Sequence, residues 1–143
     1  MTKQFYCFVL FLSIFLLAEA LSAKDDKYNY ISAKNLENRL TAKMPTNIVD
    51  IQVEDEFSQH HIKGAEPTYA YPVKTDSDRA KLEKVVQQIY NNNDPVIIVC
   101  PRGAGGAERT YEYLLKKGIP DERLMILEKG QEGWTCAPLT ESR

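Results

Sequence analysis

A short apolar run that ends in a cysteine and a glycine-rich loop constrains the fold of this chain more than any other feature. In PVIIVCPRGAGGAERTYEYLL, residues 95–115, four apolar residues lead into Cys100, and a proline, an arginine and three glycines follow within six residues. A helical pattern then begins. An apolar run of this length between turn residues is typical of a strand buried on both faces, and such strands occur in parallel sheets that helices cover.

The rest of the chain repeats this alternation of short strands and helices. Strand patterns are predicted at residues 28–31, 47–51, 68–71, 96–99 and 124–127. Helical patterns are predicted after a Ser32 cap and at residues 54–60, 76–90, 108–117 and 131–134. Strands that alternate with helices predict an α/β fold, with a mostly parallel sheet and helices on both faces.

The first 23 residues differ in composition from the rest of the chain. Lys3 precedes an apolar segment at residues 8–18, and small residues at positions 18 and 20 provide a cleavage pattern. This pattern predicts a secretory signal peptide at residues 1–23, a single domain at residues 24–143 and a periplasmic or secreted location. An uncleaved membrane anchor is the alternative, although the apolar segment is short for a membrane span.

The charge and the cysteine content argue against two classes of protein. The formal net charge is −2, whereas a nucleic-acid-binding protein uses a clustered basic face. Only Cys100 and Cys136 remain after the predicted cleavage, too few for a disulfide scaffold. We predict no bond between them, because a helix from Gly130 to Cys136 would carry the chain about 9 Å away from the cysteine loop.

The loop after Cys100 has the composition of an anion-binding turn. Its residues are Pro101, Arg102, Gly103, Ala104, Gly105, Gly106 and Ala107. Few Cβ atoms allow successive backbone N–H groups to face one small anion, and the following helix adds the positive end of its dipole. A thiol there loses its proton more readily, and the thiolate is the reactive form. An inert buried cysteine is the alternative, but packing alone does not require three glycines.

Three other loop chemistries do not fit this spacing. The glycines at positions 103, 105 and 106 miss the G-x-G-x-x-G pattern of a dinucleotide site, and the sequence has no G-K-[ST] of a P-loop. A cysteine phosphatase needs an arginine six residues after its cysteine to hold phosphate. That position is Gly106 in this chain.

Two further segments are expected to meet the cysteine loop. Parallel sheets bind ligands outside the carboxyl ends of their strands. Asp50 lies near the end of one predicted strand, and residues 127–130 follow another. Lys129 belongs to the second segment. We therefore predict Asp50 as an auxiliary residue of the candidate site; a role for Lys129 is implied by the resemblance described below.

Four sequence blocks, in this order, resemble the single-domain rhodanese family of sulfurtransferases. They are YISA at 30–33; IVDI at 48–51 with EF at 56–57 and HIKGA at 61–65; the strand and loop at 96–107; and residues 127–134 with PL at 138–139. The resemblance implies a five-stranded parallel sheet flanked by helices, with Cys100 as the residue that carries sulfur.

The resemblance also implies a reaction. Cys100 attacks the sulfane sulfur of thiosulfate, a polysulfide or a thiosulfonate, becomes a persulfide, and passes that sulfur to cyanide or a thiol. The resemblance implies neither a metal nor an organic cofactor, and no membrane association after signal cleavage; it leaves the oligomeric state open. A sulfur carrier without turnover, or an interaction module with a partner protein, is the alternative function.

The chain departs from the family pattern at four positions, one of which is His60 in place of a usual glycine. Gly105 stands where many members carry an arginine or lysine that holds anionic donors, so Arg102 or Lys129 would have to supply the cation. Lys129 replaces the first closing glycine, and a solvated surface lysine is an equal alternative for it. Gln52 replaces an arginine, which weakens a charge pair, and Asp50 is expected to bond nearby backbone.

Overall fold

A five-stranded parallel sheet forms the centre of the molecule, and a separate two-stranded sheet accompanies it. The computed structural model describes residues 27–143, so the predicted signal peptide at residues 1–23 lies outside the described residues. The strands are β1 (Tyr30–Ile31), β2 (Asn47–Asp50), β3 (His61–Ile62), β4 (Glu66–Pro67), β5 (Val96–Val99), β6 (Leu124–Leu127) and β7 (Thr140–Glu141). The large sheet has the order β1-β6-β5-β2-β4 with every pair parallel, and β3 pairs antiparallel with β7. The predicted α/β class is confirmed.

Helices connect the strands of the large sheet. They are α1 (Ala33–Thr41), α2 (Glu54–Gln59), α3 (Asp76–Ala80), α4 (Glu83–Tyr90) and α5 (Gly105–Lys116), with 3-10 turns at Asp121–Arg123, Gln131–Gly133 and Ala137–Leu139. Ser32 caps α1 as predicted, since its side chain accepts a hydrogen bond from the Asn35 N–H at 3.2 Å. Among residues 27–143, no helix is both long enough and apolar enough to cross a bilayer.

Two core clusters cover the two faces of the sheet. Val96 and Ile98 of β5 pack with buried residues of α4 and α5. Ile97 and Val99 pack in the second cluster with Leu36 of α1. Because alternate residues of a strand point to opposite faces, a strand covered on both faces must be apolar throughout. All four residues of β5 are buried, which explains the uniform apolar run that ends at the cysteine.

Residues 68–71 do not form the predicted strand. The edge strand β4 is Glu66–Pro67, and the chain then turns, with Tyr69 at φ +55°. A positive φ is incompatible with an extended strand. The Tyr71 N–H donates to the Ile51 carbonyl at 2.9 Å, which places this turn at the carboxyl end of β2.

The single helix predicted at residues 76–90 is interrupted. A turn at residues 81 and 82 separates α3 from α4, and the Leu82 N–H donates to the Arg79 carbonyl at 3.0 Å within that turn. The predicted apolar stripe is nevertheless buried in full: Leu82, Val85, Val86 and Ile89. The stripe therefore anchors this segment against the sheet although the helix is broken.

The segment that joins the candidate site to Cys136 also differs from expectation. A 3-10 turn at Gln131–Gly133 replaces the predicted helix, and Trp134 is extended, with φ −87° and ψ 116°. The predicted helix from Gly130 to Cys136 is therefore wrong. Cys100 and Cys136 nevertheless form no disulfide bond, as predicted. Cys100 packs in the cluster with α4 and α5, and Cys136 packs against the cluster that contains α1, so the two cysteines lie with opposite faces of the sheet.

Candidate active site

Cys100 follows the last residue of β5 and is only 2% exposed. The Gly103 N–H points back at the cysteine and donates to Sγ at 3.0 Å. Gly103 has φ +71°, a conformation that glycine adopts without steric cost and that turns the loop sharply. The loop thus brings a backbone hydrogen-bond donor directly to the sulfur.

The helix after the loop begins earlier than predicted. α5 starts at Gly105, three residues before the predicted start at Glu108. The Ala107 and Glu108 N–H groups donate to the Ala104 carbonyl at 2.8 and 3.2 Å and close the first turn. Within the described part of the chain, the N–H groups of Gly105 and Gly106 have no hydrogen-bond acceptor, and no side chain caps the helix. Donors without partners at a helix N-terminus favour an anion.

The segment after β6 packs its backbone directly on the cysteine loop, as the sequence predicted. The Gln131 N–H donates to the Cys100 carbonyl at 2.8 Å, and the Glu132 N–H donates to the Pro101 carbonyl at 3.0 Å. A Cβ on Gly130 would lie 2.1 Å from the Cys100 carbonyl oxygen, and Gly130 has φ +55°. Only glycine fits at such a close approach. These contacts fix the loop backbone from the side of β6.

The two cations predicted for the site are both exposed. Arg102 Nε lies 3.2 Å from Glu132 Oε1, and the two side chains are 66% and 64% exposed. Lys129 has φ +61°, and its side-chain stem lies along Gly133, because a Cβ on Gly133 would be 2.6 Å from the Lys129 Cβ. Arg102 therefore shares its charge with a carboxylate, and Lys129 leans on the 3-10 turn that follows it.

Arg109, which sequence reasoning missed, places a guanidinium beside the loop. Its Nε and Nη2 donate to the Pro72 carbonyl at 3.0 and 2.8 Å. Its Nη1 faces Gly105, since a Cβ on that glycine would lie 2.8 Å from Nη1. Among the residues that the structure describes, no carboxylate lies within ion-pair distance of Arg109. The available sequence signal was the spacing of four residues from Gly105, which puts both on one helix face.

An aromatic ring closes the loop at the position where a cysteine phosphatase would carry its arginine. A Cβ on Gly106 would lie 3.0 Å from two ring atoms of Tyr71 and 3.3 Å from Ile51 Cδ1. Any side chain at position 106 therefore requires the tyrosine ring to move. The loop has neither the arginine that holds phosphate nor the room for one in this arrangement.

Asp50, predicted as an auxiliary residue, is fully buried at the end of β2, in register with Val99. The Gln52 N–H and side-chain amide donate to its two carboxyl oxygens at 2.8 and 3.0 Å. The Asp50 carbonyl accepts from the N–H and the hydroxyl of Thr68 at 2.9 and 3.0 Å. Asp50 thus bonds nearby backbone, as expected, and ties β2 to the turn after β4.

Asp50 is buried at the end of β2 with no cation beside it in the described part of the chain, and this environment determines the charge of its carboxyl group. Desolvation raises the pKa of Asp50 to about 7, against the lowering effect of the two donors from Gln52. The negative charge of Glu56 also raises the pKa of Asp50, and Glu56 Oε2 is itself buried with no hydrogen-bond partner in the described part of the chain. Near neutral pH, Asp50 is divided between its charged and neutral forms, so it is not a fixed counter-charge for the loop.

Three solved structures illustrate what the fold resembles. A yeast protein tyrosine phosphatase of the rhodanese family matches with a TM-score of 0.62 at 16% identity, over 77% of this chain and 85% of that one. The As-Sb reductase from Leishmania major matches with a TM-score of 0.62 at 15% identity, over 81% and 86% of the two chains. A rhodanese-like domain protein from Staphylococcus aureus matches with a TM-score of 0.56 at 22% identity, over 80% and 98%. Identities this low establish the fold alone.

A match of the sequence to a known protein family, rather than the structural likeness, assigns this chain. No curated protein matches this chain significantly, but the rhodanese-like domain family matches residues 32–137. That range contains the cysteine loop, the buried corner at Asp50 and the segment that packs on the loop after β6. The chain therefore belongs to the rhodanese-like domain family.

Proposed function

We propose that this protein is an exported sulfurtransferase that carries a sulfane sulfur on Cys100 as a persulfide. The hydrogen bond from the Gly103 N–H to Cys100 Sγ is the observation that carries the proposal. The N–H groups of Gly105 and Gly106, which have no acceptor in the described part of the chain, follow two and three residues later. A persulfide adds a second, negatively charged sulfur beyond Sγ, and donors that are already in place stabilise that charge.

In the first step, the Cys100 thiolate attacks the sulfane sulfur of a donor such as thiosulfate. A bond forms between Sγ and that sulfur, the bond from it to the sulfonate breaks, and sulfite leaves with the electron pair. Charge is conserved, because a thiolate and a dianion become a persulfide anion and a dianion. The hydrogen bonds from the segment after β6 to the Cys100 and Pro101 carbonyls hold the loop in position before the donor arrives.

In the second step, cyanide or a small thiolate attacks the outer sulfur of the persulfide. The bond between the two sulfurs breaks, and its electron pair returns to Sγ, which regenerates the thiolate. The product is thiocyanate or the persulfide of the acceptor. The Gly103 N–H then again faces a single charged sulfur, so the same donor serves both steps.

The burial of the cysteine favours small donors and acceptors. Cys100 is 2% exposed, and a partner protein would have to bring its own thiol into a loop that the segment after β6 packs against. Turnover with small molecules is therefore better supported than a carrier that hands sulfur to a docked enzyme, or an interaction module.

Phosphatase activity, for which one structural neighbour is named, has less support in this chain. Position 106 is a glycine beneath the ring of Tyr71, so the arginine that clamps a phosphate in a cysteine phosphatase is missing. We expect no hydrolysis of an aryl phosphate above background, which a colorimetric assay with p-nitrophenyl phosphate checks.

Export is a separate part of the proposal and rests on the pattern at residues 1–23. N-terminal sequencing of the protein from the producing cell tests it. A mature N-terminus close to residue 24 in a periplasmic or culture fraction supports export, and an intact N-terminus in the cytoplasmic fraction contradicts it.

Steady-state kinetics test the reaction. With thiosulfate and cyanide varied together, the rate of thiocyanate formation should give parallel double-reciprocal lines, as a persulfide intermediate requires. Cys100→Ser should abolish turnover, whereas the matched variant Cys136→Ser should retain it, because Cys136 packs with the opposite face of the sheet. Activity that survives Cys100→Ser, or disappears in both variants, would contradict the assignment of the sulfur to Cys100.

A further inference from the structure

The guanidinium of Arg109 lies beside Gly105 at the start of α5, the helix that follows the cysteine loop. We infer that Arg109 binds the oxyanion end of the sulfur donor and so makes the site selective for donors such as thiosulfate and thiosulfonates. This inference rests on the proposed function and assigns the charge that selects its substrate.

The side chain of Arg109 is held from one side only. Nε and Nη2 both donate to the Pro72 carbonyl, at 3.0 and 2.8 Å. The guanidinium is planar and rigid, so this pair of bonds fixes the direction of the third nitrogen. Nη1 faces Gly105, at the start of α5. The structure gives Nη1 no acceptor among the described residues, which leaves its two N–H groups for a ligand.

The charge of Arg109 is not compensated locally. Arg102, the other arginine of this region, has its Nε 3.2 Å from Glu132 Oε1. Arg109 has no carboxylate within ion-pair distance in the described part of the chain. An uncompensated cation on a partly buried side chain attracts anions more strongly than an exposed, paired one.

The glycine at position 105 is what admits the guanidinium to this place. A Cβ on Gly105 would lie 2.8 Å from Nη1, so any larger residue would push the nitrogen away from the helix start. The lack of a side chain at position 105 and the arginine one helical turn later therefore act together to place the guanidinium at the start of α5. Among residues 27–143, the N–H groups of Gly105 and Gly106 and Nη1 of Arg109, which faces Gly105, are donors without acceptors at the start of α5.

Such a group of donors suits an oxyanion. Sulfonate and sulfonyl oxygens accept several hydrogen bonds at once, and charge-assisted bonds from a guanidinium are stronger than neutral ones. Polysulfide chains carry charge but no oxygens, and they offer weaker acceptors. We therefore expect Arg109 to favour thiosulfate and thiosulfonates over polysulfide as donors.

Two alkylating agents separate the effect of charge from the reactivity of the thiol. Iodoacetate and iodoacetamide react alike, with the thiolate displacing iodide, but only iodoacetate is an anion. The rate constant for iodoacetate at Cys100, divided by that for iodoacetamide, should fall about tenfold or more in Arg109→Gln. The kcat/KM for thiosulfate should fall with it, mainly because KM rises. Arg39→Gln is the matched control, because Arg39 also donates from a helix to a proline carbonyl, that of Pro45; it should leave both quantities unchanged.

Arg109→Lys distinguishes charge from loop structure. Lysine keeps the charge but loses the paired bonds to the Pro72 carbonyl, so it should retain more of the anion preference than Arg109→Gln. An equal loss in both variants, or an unchanged ratio in Arg109→Gln, would overturn the inference. A larger loss in Arg102→Gln than in Arg109→Gln would also overturn it. If the wild-type protein accepts sulfur from no donor, the proposed function fails, but the alkylation ratio still decides the role of Arg109.

Discussion

The neighbouring strands β5 and β2 end in contrasting chemical environments. β5 leads into the cysteine loop, where the N–H groups of Gly105 and Gly106 and Nη1 of Arg109 have no acceptor among residues 27–143. β2 ends at Asp50, where a buried carboxyl group receives amide donors from Gln52 and no cation, beside a buried oxygen of Glu56 that has no partner in the described part of the chain.

This difference means that the end of β5 is suited to bind a ligand, whereas the end of β2 is a buried polar part of the scaffold. An excess of donors is relieved when an anion binds, so the loop after β5 is prepared for a ligand. The buried carboxyl group of Asp50, with Glu56 beside it, avoids an uncompensated charge when it takes a proton. The first arrangement gives chemistry, and the second gives a dependence of stability on pH.

The largest effect is expected where the backbone of the segment after β6 touches the backbone of the cysteine loop. Gly130→Ala puts a Cβ 2.1 Å from the Cys100 carbonyl oxygen, at φ +55° and ψ −151°. Neither the clash nor the backbone conformation can be relieved by a flexible side chain. We expect a loss of more than about 3 kcal/mol in the free energy of unfolding and loss of sulfur transfer, measured by urea unfolding and thiocyanate formation.

Gly64 provides the control for that substitution. It also has a positive φ, +81°, but a Cβ there would meet nothing within 4 Å. Gly64→Ala should therefore cost only about 1–2 kcal/mol from the backbone conformation and should leave the transfer activity intact. Equal losses in the two variants would mean that the close approach at Cys100 contributes nothing beyond glycine's conformational freedom.

The next effect concerns the carboxyl group at the end of β2. The pKa of Asp50 is raised from 3.8 to about 7 in the folded protein, so between those values the folded protein holds a proton that the unfolded chain has released. The free energy of unfolding should therefore fall as pH rises from about 4 to about 7 and then level off. Urea unfolding of wild type and Asp50→Asn at pH 5 and pH 8 measures this dependence.

Asparagine cannot ionise, so Asp50→Asn should lack this contribution. The stability of the variant relative to wild type should increase by about 2 kcal/mol from pH 5 to pH 8. A difference between the two proteins that stays constant over this range would show that the aspartate is not buried as a partly protonated group.

A cation introduced at position 52 should make the two strand ends more alike. In Gln52→Arg, a guanidinium beside Asp50 should lower the pKa of the Asp50 carboxyl group and flatten the dependence of stability on pH by about 1 kcal/mol or more. Gln52→Met, of similar length but without charge, is the control and should not flatten it. The same pair of urea experiments at pH 5 and pH 8 checks both variants, and a profile in Gln52→Arg as steep as that of wild type would exclude the missing cation as the cause.

The smallest effect is expected at the exposed ion pair on the cysteine loop. Arg102 and Glu132 are about two-thirds exposed, so their interaction should contribute no more than about 1 kcal/mol to stability. A double-mutant cycle with Arg102→Ala and Glu132→Ala, followed by thermal unfolding, measures it. A coupling well above that value would mean that the pair holds the loop and the segment after β6 together.

Sequence reasoning succeeded where burial on both faces leaves no choice of residue type. The strands at 96–99 and 124–127 were predicted with the bounds that the structure has, because a strand covered on both faces must be apolar throughout. The cysteine loop was recognisable because several glycines in succession have few other uses. The contact of the segment after β6 with the loop was implied by the resemblance to the family.

The turn at residues 69–73 defeated the same reasoning, and Arg109 was missed with it. Tyr69 and Val73 have positive φ, at +55° and +61°, although both residue types favour strands, so the local pattern indicated the wrong structure. Tertiary hydrogen bonds to β2 impose the turn. The Pro72 carbonyl that anchors Arg109 lies in it, and a contact between residues 37 positions apart leaves no mark in the local sequence.

The mass of the intact mature protein after exposure to a sulfur donor tests the central claim most directly. Wild type and Cys136→Ser, each treated with thiosulfate or a thiosulfonate and freed of excess donor, should gain the mass of one sulfur atom and lose it when cyanide is added. Cys100→Ser should gain nothing. A wild-type protein that never gains sulfur from thiosulfate, a thiosulfonate or polysulfide, or a Cys100→Ser protein that does, would contradict the account of a persulfide held on Cys100 by the loop after β5.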